Sequence, residues 1–191
     1  VHIDDPGPRE ILIKTAACGV CHSDLHFIEG LYPTQMPIVL GHEAAGVVEK
    51  VGSLVDYVKP GDHVITCLSA FCGTCVYCIT GHLSLCTRIG LNRHASEAPR
   101  LGTAAEPIHQ FANLSAFAEK MLIHENAVVK VDHDMPMDRA ALIGCGVTTG
   151  VGAVQNTARI HAGETVAVIG CGGVGLSAVN GAFIAGASKI I

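Results

Sequence analysis

The stretch "ETVAVIGCGGVGLSAVNGAFIAG", residues 164–186, decides how the last part of the chain is read. From Thr165 to Ser188 no residue carries a charge, over a span long enough to cross a bilayer. The glycines argue against a membrane helix, because Gly170, Gly172, Gly173 and Gly175 crowd into one short turn that would break a lipid-exposed helix. A buried strand "TVAVI", a glycine turn "GCGGVG" and a helix from Leu176 ending at Gly186 account for the run instead. Gly170, Gly172 and Gly175 form G-x-G-x-x-G between a strand and a helix, the setting that raises this motif above chance. The first glycine makes the turn, the second lets backbone approach a pyrophosphate, and the third allows close helix packing. With Gly173 and Val174, this turn is read as a cofactor-binding loop at a helix N-terminus.

Upstream, the pattern is different. "REILIKTAACG", "EAAGVVEKVG" and "GDHVITCLS" read as strands punctuated by Gly and Pro, and "EKMLIHENAVVKV" returns to strand-like alternation. Short strands of this kind predict an antiparallel, barrel-like β unit over the first two thirds. Residues 87–113 lack periodicity and read as a long connection. Met137 through Cys145 reads as one helix, and the residues after Thr148 as another running towards Asn156. The whole is an α/β plus β chain that ends in the start of a doubly wound parallel sheet.

The composition limits the partners. With 49% hydrophobic and 15% charged residues and a formal charge of -5 over 191 residues, the chain is that of a globular protein with no basic patch for nucleic acid. Neither a nucleic-acid nor a membrane partner is expected. The opening "VHIDDPGPRE" has no basic, apolar leader, so a cytoplasmic location is expected. The chain also reads as cut at both ends, since it starts at Val1 and stops in an apolar run at Ile191. The acidic residue that would hold an adenosine ribose is expected about 20 residues past the glycine turn, beyond Ile191, so NAD and NADP are not separated by sequence; NAD is favoured.

Nine cysteines without a secretory leader argue for thiolate chemistry over disulfides. Cys72, Cys75, Cys78 and Cys86 lie in "FCGTCVYCITGHLSLC", residues 71–86, at spacings that let four sulfurs close a tetrahedron around Zn²⁺. A complete sulfur set leaves no position for substrate, so this is a structural zinc lobe, residues 71–87. The spacing of the last cysteine departs from the familiar bacterial iron–sulfur run. A second set is scattered: Cys21, His42 and Cys145 would make a Cys₂His zinc site with one open position, the arrangement of a catalytic zinc.

The segments "GVCHSD", "GHEAAGVVEKVG", the four-cysteine lobe, "IGCGVTTGVGAV" and "VAVIGCGGVG" resemble, in order and approximate separation, the zinc-dependent medium-chain alcohol dehydrogenases. That resemblance implies a GroES-like, partly open β-barrel catalytic domain over residues 1–147 and the start of a Rossmann coenzyme domain over 148–191. It implies an oxidoreductase that interconverts an alcohol with an aldehyde or ketone by hydride transfer to or from a nicotinamide cofactor. Cys21, His42 and Cys145 then match the catalytic zinc ligands, and Glu43 the acidic neighbour that eases ligand exchange. Asp24 matches the carboxylate that orients the histidine. Ser23 and His26 match a proton relay, Leu68 and Phe111 the alcohol pocket, His22 a contact to the coenzyme pyrophosphate, and Thr149 a position near the nicotinamide. Cys18, Cys67 and Cys171 have no matching role and are read as small buried residues.

Two alternatives stand beside this reading: the glutathione-dependent formaldehyde dehydrogenase sub-type, and a zinc-stabilised relative without turnover. The sub-type carries an Arg four residues after the last lobe cysteine, where Gly90 stands here, with Arg88 close by. The long connection after Cys86 points to a homo-oligomer of the dimeric kind. Made alone, the chain is expected to leave apolar faces of its last segment uncovered and to show no dehydrogenase activity.

Overall fold

The structure is a computed structural model, which describes residues 1–87, 91–94 and 96–191. The glutathione-discriminating positions Arg88 and Gly90 lie outside the described residues. The chain divides into two compact units, Val1–Ala141 and Leu142–Ile191.

In the first unit the strands are β1 (His2–Ile3), β2 (Glu10–Gly19), β3 (Ile38–Val39), β4 (Glu43–Val51), β5 (His63–Thr66), β6 (Leu101–Gly102), β7 (His109–Gln110), β8 (Lys120–His124) and β9 (Val128–Val131). Five of them form one antiparallel sheet in the order β8-β2-β4-β5-β9. β8 and β9 are consecutive in sequence yet occupy opposite edges, joined only by the 3₁₀ turn Glu125–Ala127. In a flat sheet, four inter-strand steps would put those edges about 19 Å apart, whereas a three-residue 3₁₀ turn spans about 6 Å. The sheet must therefore curl until its edges nearly meet. Register shifts in β2, between Leu12 and Ile13 and between Thr15 and Ala17, supply local bends. No ladder joins β8 to β9 among the described residues, so the result is a partly open barrel. Tyr57 bridges the seam: its hydroxyl reaches the carbonyl oxygens of Glu125 at 2.5 Å and Val128 at 3.0 Å.

Side chains from these strands fill the curl. Ile11, Ile13, Val48, Val64, Met121 and Ile123 are at most 2% exposed and belong to one apolar cluster with Leu91 and Leu114. The run read as a long connection is tied down rather than loose. Arg100 donates to Glu10 at 2.6 Å and to the Leu91 carbonyl at 2.6 Å, and Arg93 donates to Glu10 at 2.6 Å and to the Asp5 carbonyl at 2.8 Å. Burial alone would raise the pKa of Glu10, but the two guanidinium groups and the Gly7 N–H hold it down at about 2. A buried carboxylate paired on two sides by arginines is the arrangement in which ionisation survives desolvation. Short helices α1 (His22–Ile28), α2 (Val76–Ile79) and α3 (Met137–Ala140) complete the unit.

The helix read over Met137–Cys145 does not run through. It is α-helical to Ala140 and then 3₁₀ over Ala141–Gly144, and Cys145, with φ −136° and ψ −76°, is outside the helical region. Glycines on both sides of Cys145 weaken helix there. In the second unit α4 (Gly146–Gly152) continues as a π-helical stretch, Ala153–Ala158. β10 (Thr165–Val166), α5 (Gly173–Ile184) and β11 (Lys189–Ile190) follow, with β10 and β11 paired in parallel. The strand read as buried is short and largely exposed, and Ile169 is 100% exposed. A two-stranded sheet has only edge strands and no interior position to bury one.

Candidate metal centres and coenzyme turn

The four lobe cysteines are brought together around α2, which begins immediately after Cys75. All four sulfurs lie within 4.8 Å of one another, with Cys75–Cys78 at 3.5 Å and both Cys72–Cys78 and Cys75–Cys86 at 3.9 Å. A tetrahedron with Zn–S bonds of about 2.3 Å has edges of about 3.8 Å, so the sulfur geometry fits zinc. The surroundings favour thiolate in part. Backbone N–H groups of Thr87 and Cys78 draw Cys75 down to about 5, and the Thr74 hydroxyl and N–H draw Cys72 down to about 7. Burial and its sulfur neighbours push Cys78 up to about 12. Four thiolates this close cannot all ionise unaided, and a cation is what lets them.

The second cluster is built by a turn, a helix start and a strand start. Cys21 precedes α1, His42 directly precedes β4, and Glu43 opens it. Their ligand atoms lie within 4.8 Å of one another. Asp24, fully buried, sits between these elements. One carboxylate oxygen accepts from the Cys21 N–H at 3.1 Å, and the other accepts from the Gly41 N–H at 3.0 Å and faces His42 Nδ1 at 3.3 Å. Engaging Nδ1 with a carboxylate fixes the ring and leaves Nε2 as the ligand atom. Gly41 carries φ +91°, and a Cβ there would lie 2.5 Å from the Phe117 N, so the turn into His42 requires glycine. Glu43 is buried beside His42.

Around this cluster, His22 and His26 stack edge-on along α1 with centroids 5.2 Å apart, and His26 meets Tyr32 at 5.3 Å. His22 is exposed, and Ser23 and His26 are half-buried. Phe111 packs edge-on to His42 at 5.4 Å and to Phe27 at 4.7 Å. Leu68 is half-buried against the apolar core. Phe27 and Tyr32 were not singled out by sequence. Their one available signal was aromatic residues a turn or two past "CHSD", and that is too common a pattern to read alone. Cys18 is a half-buried thiol, pushed up to about 11 by burial, which suits a packing role. Cys171 is exposed rather than buried, because it lies in the glycine turn.

In the second unit Cys145 stands at the start of α4, and Thr149 is exposed one turn along, its N–H donating to the Cys145 carbonyl at 2.8 Å. Gly170 has φ +102°, Gly172 is the N-cap of α5, and Gly170 through Val174 are exposed. A Cβ on Gly175 would sit 1.8 Å from the Gly170 carbonyl oxygen, so the third glycine is demanded by packing. Nothing lies within 4 Å of a Cβ built on Gly172 or Gly173, which leaves backbone open to a phosphate group. The turn fits a dinucleotide. Among the described residues no helix is long and apolar enough to cross a membrane.

The profile described as "Alcohol dehydrogenase GroES-like domain" matches residues 7–133. This chain belongs to the zinc-dependent medium-chain alcohol dehydrogenase family. Its sequence is 44% identical over 197 residues to the S-(hydroxymethyl)glutathione dehydrogenase of Saccharomyces cerevisiae, covering 100% of this chain and 51% of the relative. It superposes on an alcohol dehydrogenase zinc-binding domain protein from Burkholderia ambifaria with a TM-score of 0.87 at 41% identity, covering 98% of this chain and 52% of the other. A benzyl alcohol dehydrogenase from Acinetobacter calcoaceticus gives 0.86 at 36% identity, with 99% and 52% covered. The chain spans about half the length of the curated relatives it matches.

Proposed function

We propose that the chain forms the metal-binding part and the first nucleotide-binding turn of an enzyme that interconverts an alcohol with an aldehyde or ketone. The observation that carries the reading is the buried Asp24 carboxylate holding His42 Nδ1 and the Cys21 backbone together. A fully buried acid pointed at a histidine beside a cysteine is the outer support a metal ligand needs. Cys21, His42 and Cys145 hold the catalytic zinc in this reading, with Glu43 adjacent, and Cys72, Cys75, Cys78 and Cys86 hold the structural one.

Zinc supplies Lewis acidity that makes the alcohol hydroxyl a stronger acid, and the nicotinamide exchanges hydride with the substrate carbon. Ser23 takes the hydroxyl proton and passes it towards His26, which delivers it to solvent. Asp24 keeps the His42 ring in one tautomer and orientation. Leu68 and Phe111 line the alcohol pocket and exclude water. The glycine turn and His22 bind the coenzyme pyrophosphate, and Thr149 lies by its nicotinamide. NAD is the proposed coenzyme. A cytoplasmic homo-oligomer, with a dimer favoured, completes the proposal.

The test is a nicotinamide-linked screen of the protein expressed at the length of its relatives, over primary, secondary and aromatic alcohols with NAD and NADP. Formaldehyde with glutathione is included, since the yeast relative is named for that type of substrate. Turnover of an alcohol, lost in His42→Ala, is expected. A zinc-loaded protein inert to every alcohol and carbonyl would contradict the reading. In His26→Gln the rate should fall at neutral pH and recover as pH rises, because hydroxide or buffer replaces the lost proton acceptor; an unchanged profile would remove His26 from the relay.

A further inference from the structure

Phe111 is held unusually firmly for a residue that follows an irregular connection. On its N-terminal side, the Gln110 amide donates to the Leu122 carbonyl of β8 at 3.1 Å and accepts from Arg100 at 3.2 Å. Arg100 is itself locked onto Glu10. On its C-terminal side, the Ser115 hydroxyl, 1% exposed, accepts the Phe111 N–H at 3.2 Å. Leu114 and Ser115 N–H groups both return to the Phe111 carbonyl. The next two N–H groups, of Ala116 and Phe117, donate at 2.9 Å to the Gly41 and Leu40 carbonyls, directly ahead of His42.

The backbone between these anchors is strained. Ala112 and Ser115 have φ of 52° and 60°, the left-handed region that residues other than glycine and asparagine avoid, and Asn113 between them shares it at 58°. Such strain persists only where surrounding contacts over-determine it, and it gathers at sites where placement matters. Here its product is one ring, Phe111, set edge-on between Phe27 and His42.

We propose that Gln110 and Ser115 are positioning residues that fix the Phe111 ring against His42, and that this rigid wall is what lets the site distinguish a ring-bearing alcohol from a short one. Neither side chain touches the substrate; both act through Phe111. The inference rests on the reading of Phe111 as part of the alcohol pocket. A wall that cannot relax packs a flat ring without first being ordered by it, so the larger alcohol gains more from pre-organisation than ethanol does.

The experiment compares Gln110→Ala and Ser115→Gly with wild type, all expressed at the length of the relatives. Glycine tolerates the left-handed conformation of residue 115, so that variant removes the hydroxyl without adding strain. The first readout is the ratio of kcat/KM for benzyl alcohol to that for ethanol. The second is the affinity for benzyl alcohol, followed by the visible absorption of Co²⁺ placed in the open site. Both should fall about three- to tenfold in each variant, the size of one lost hydrogen bond, while metal content stays at the wild-type value. If one variant fails to fold, the other decides. Wild-type ratio and affinity in a folded variant, even one of lower melting temperature, would assign the residue to folding alone and overturn the proposal. If wild type turns over neither alcohol, the functional reading fails, and the Co²⁺ titration judges the positioning proposal separately: unchanged benzyl alcohol affinity in a folded variant overturns it.

Discussion

The two cysteine-bearing clusters use the same chemistry with opposite logic. In the lobe, four sulfurs come from fifteen consecutive residues, Cys72 to Cys86, and make a closed set whose separations match a zinc tetrahedron. Around His42, the ligands come from separate elements, and a buried carboxylate holds the histidine and the neighbouring backbone in place. The first cluster has little apolar core of its own: Val76, Ile79 and Leu85 are 61%, 71% and 57% exposed. The second stands on strands whose cores are sealed, Ile11 and Ile13 at 0%. On the proposed reading, a metal bound in the lobe would make the local structure, whereas the barrel makes the site around His42.

That difference should be visible in mutants, most strongly in the lobe. Cys72→Ser is expected to lose the lobe zinc and the order of residues 71–87 together, because structural zinc contributes about 10–16 kcal/mol of apparent binding free energy that is also folding free energy. Cys21→Ser should lose only the other zinc and leave the melting temperature near wild type; metal content and calorimetry check both. Asp24→Ala comes next. It orphans the Cys21 and Gly41 N–H groups, costing about 1–3 kcal/mol, and weakens metal affinity at His42 about 10- to 100-fold with no effect on the lobe, measured by competition with a chelator.

Acid should loosen the barrel side. Glu10 has its folded pKa lowered from 4.5 to about 2, so its contribution is fully present above about pH 4.5 and is lost as pH falls towards 2. Glu10→Gln should flatten that acid limb of the stability curve, read by urea unfolding between those pH values. The smallest effect is at the barrel seam: Tyr57→Phe strips a donor from the Glu125 and Val128 carbonyls and should cost about 0.5–1.5 kcal/mol by the same unfolding measurement.

What could be read ahead of the structure follows the same division. The lobe was legible because its ligands are local, and a spacing of cysteines is itself geometry. The glycine turn was legible for a similar reason: Gly170 supplies a positive φ and Gly175 the close approach to its carbonyl, needs that six consecutive residues define. Cys21 and His42 could be offered from the sequence as part of a Cys₂His donor set, but only resemblance tied them to one site, since no periodicity in the sequence shows that β2, β4 and α1 bring them together. A barrel-like sheet was expected, but not where its edges meet, because the strand-like alternation of "EKMLIHENAVVKV" does not show that it holds two strands on opposite edges. The aperiodic run gave no signal around Arg93 and Arg100 because these side chains are anchored by reaching back to Glu10, 83 and 90 residues away. The helix through Cys145 was misjudged because apolar spacing outweighed two flanking glycines.

On the proposed reading the protein carries one closed and one open metal site. That reading is tested most directly by metal analysis joined to Co²⁺ spectroscopy on the protein at the length of its relatives. Two zinc ions per chain are expected. Exchange with Co²⁺ should give one centre with sulfur-only absorption that ignores added benzyl alcohol and a second whose absorption shifts with it. Cys72→Ser should abolish only the first and His42→Ala only the second. A single zinc, or two centres both indifferent to alcohol, would contradict the pairing of a closed site with an open one.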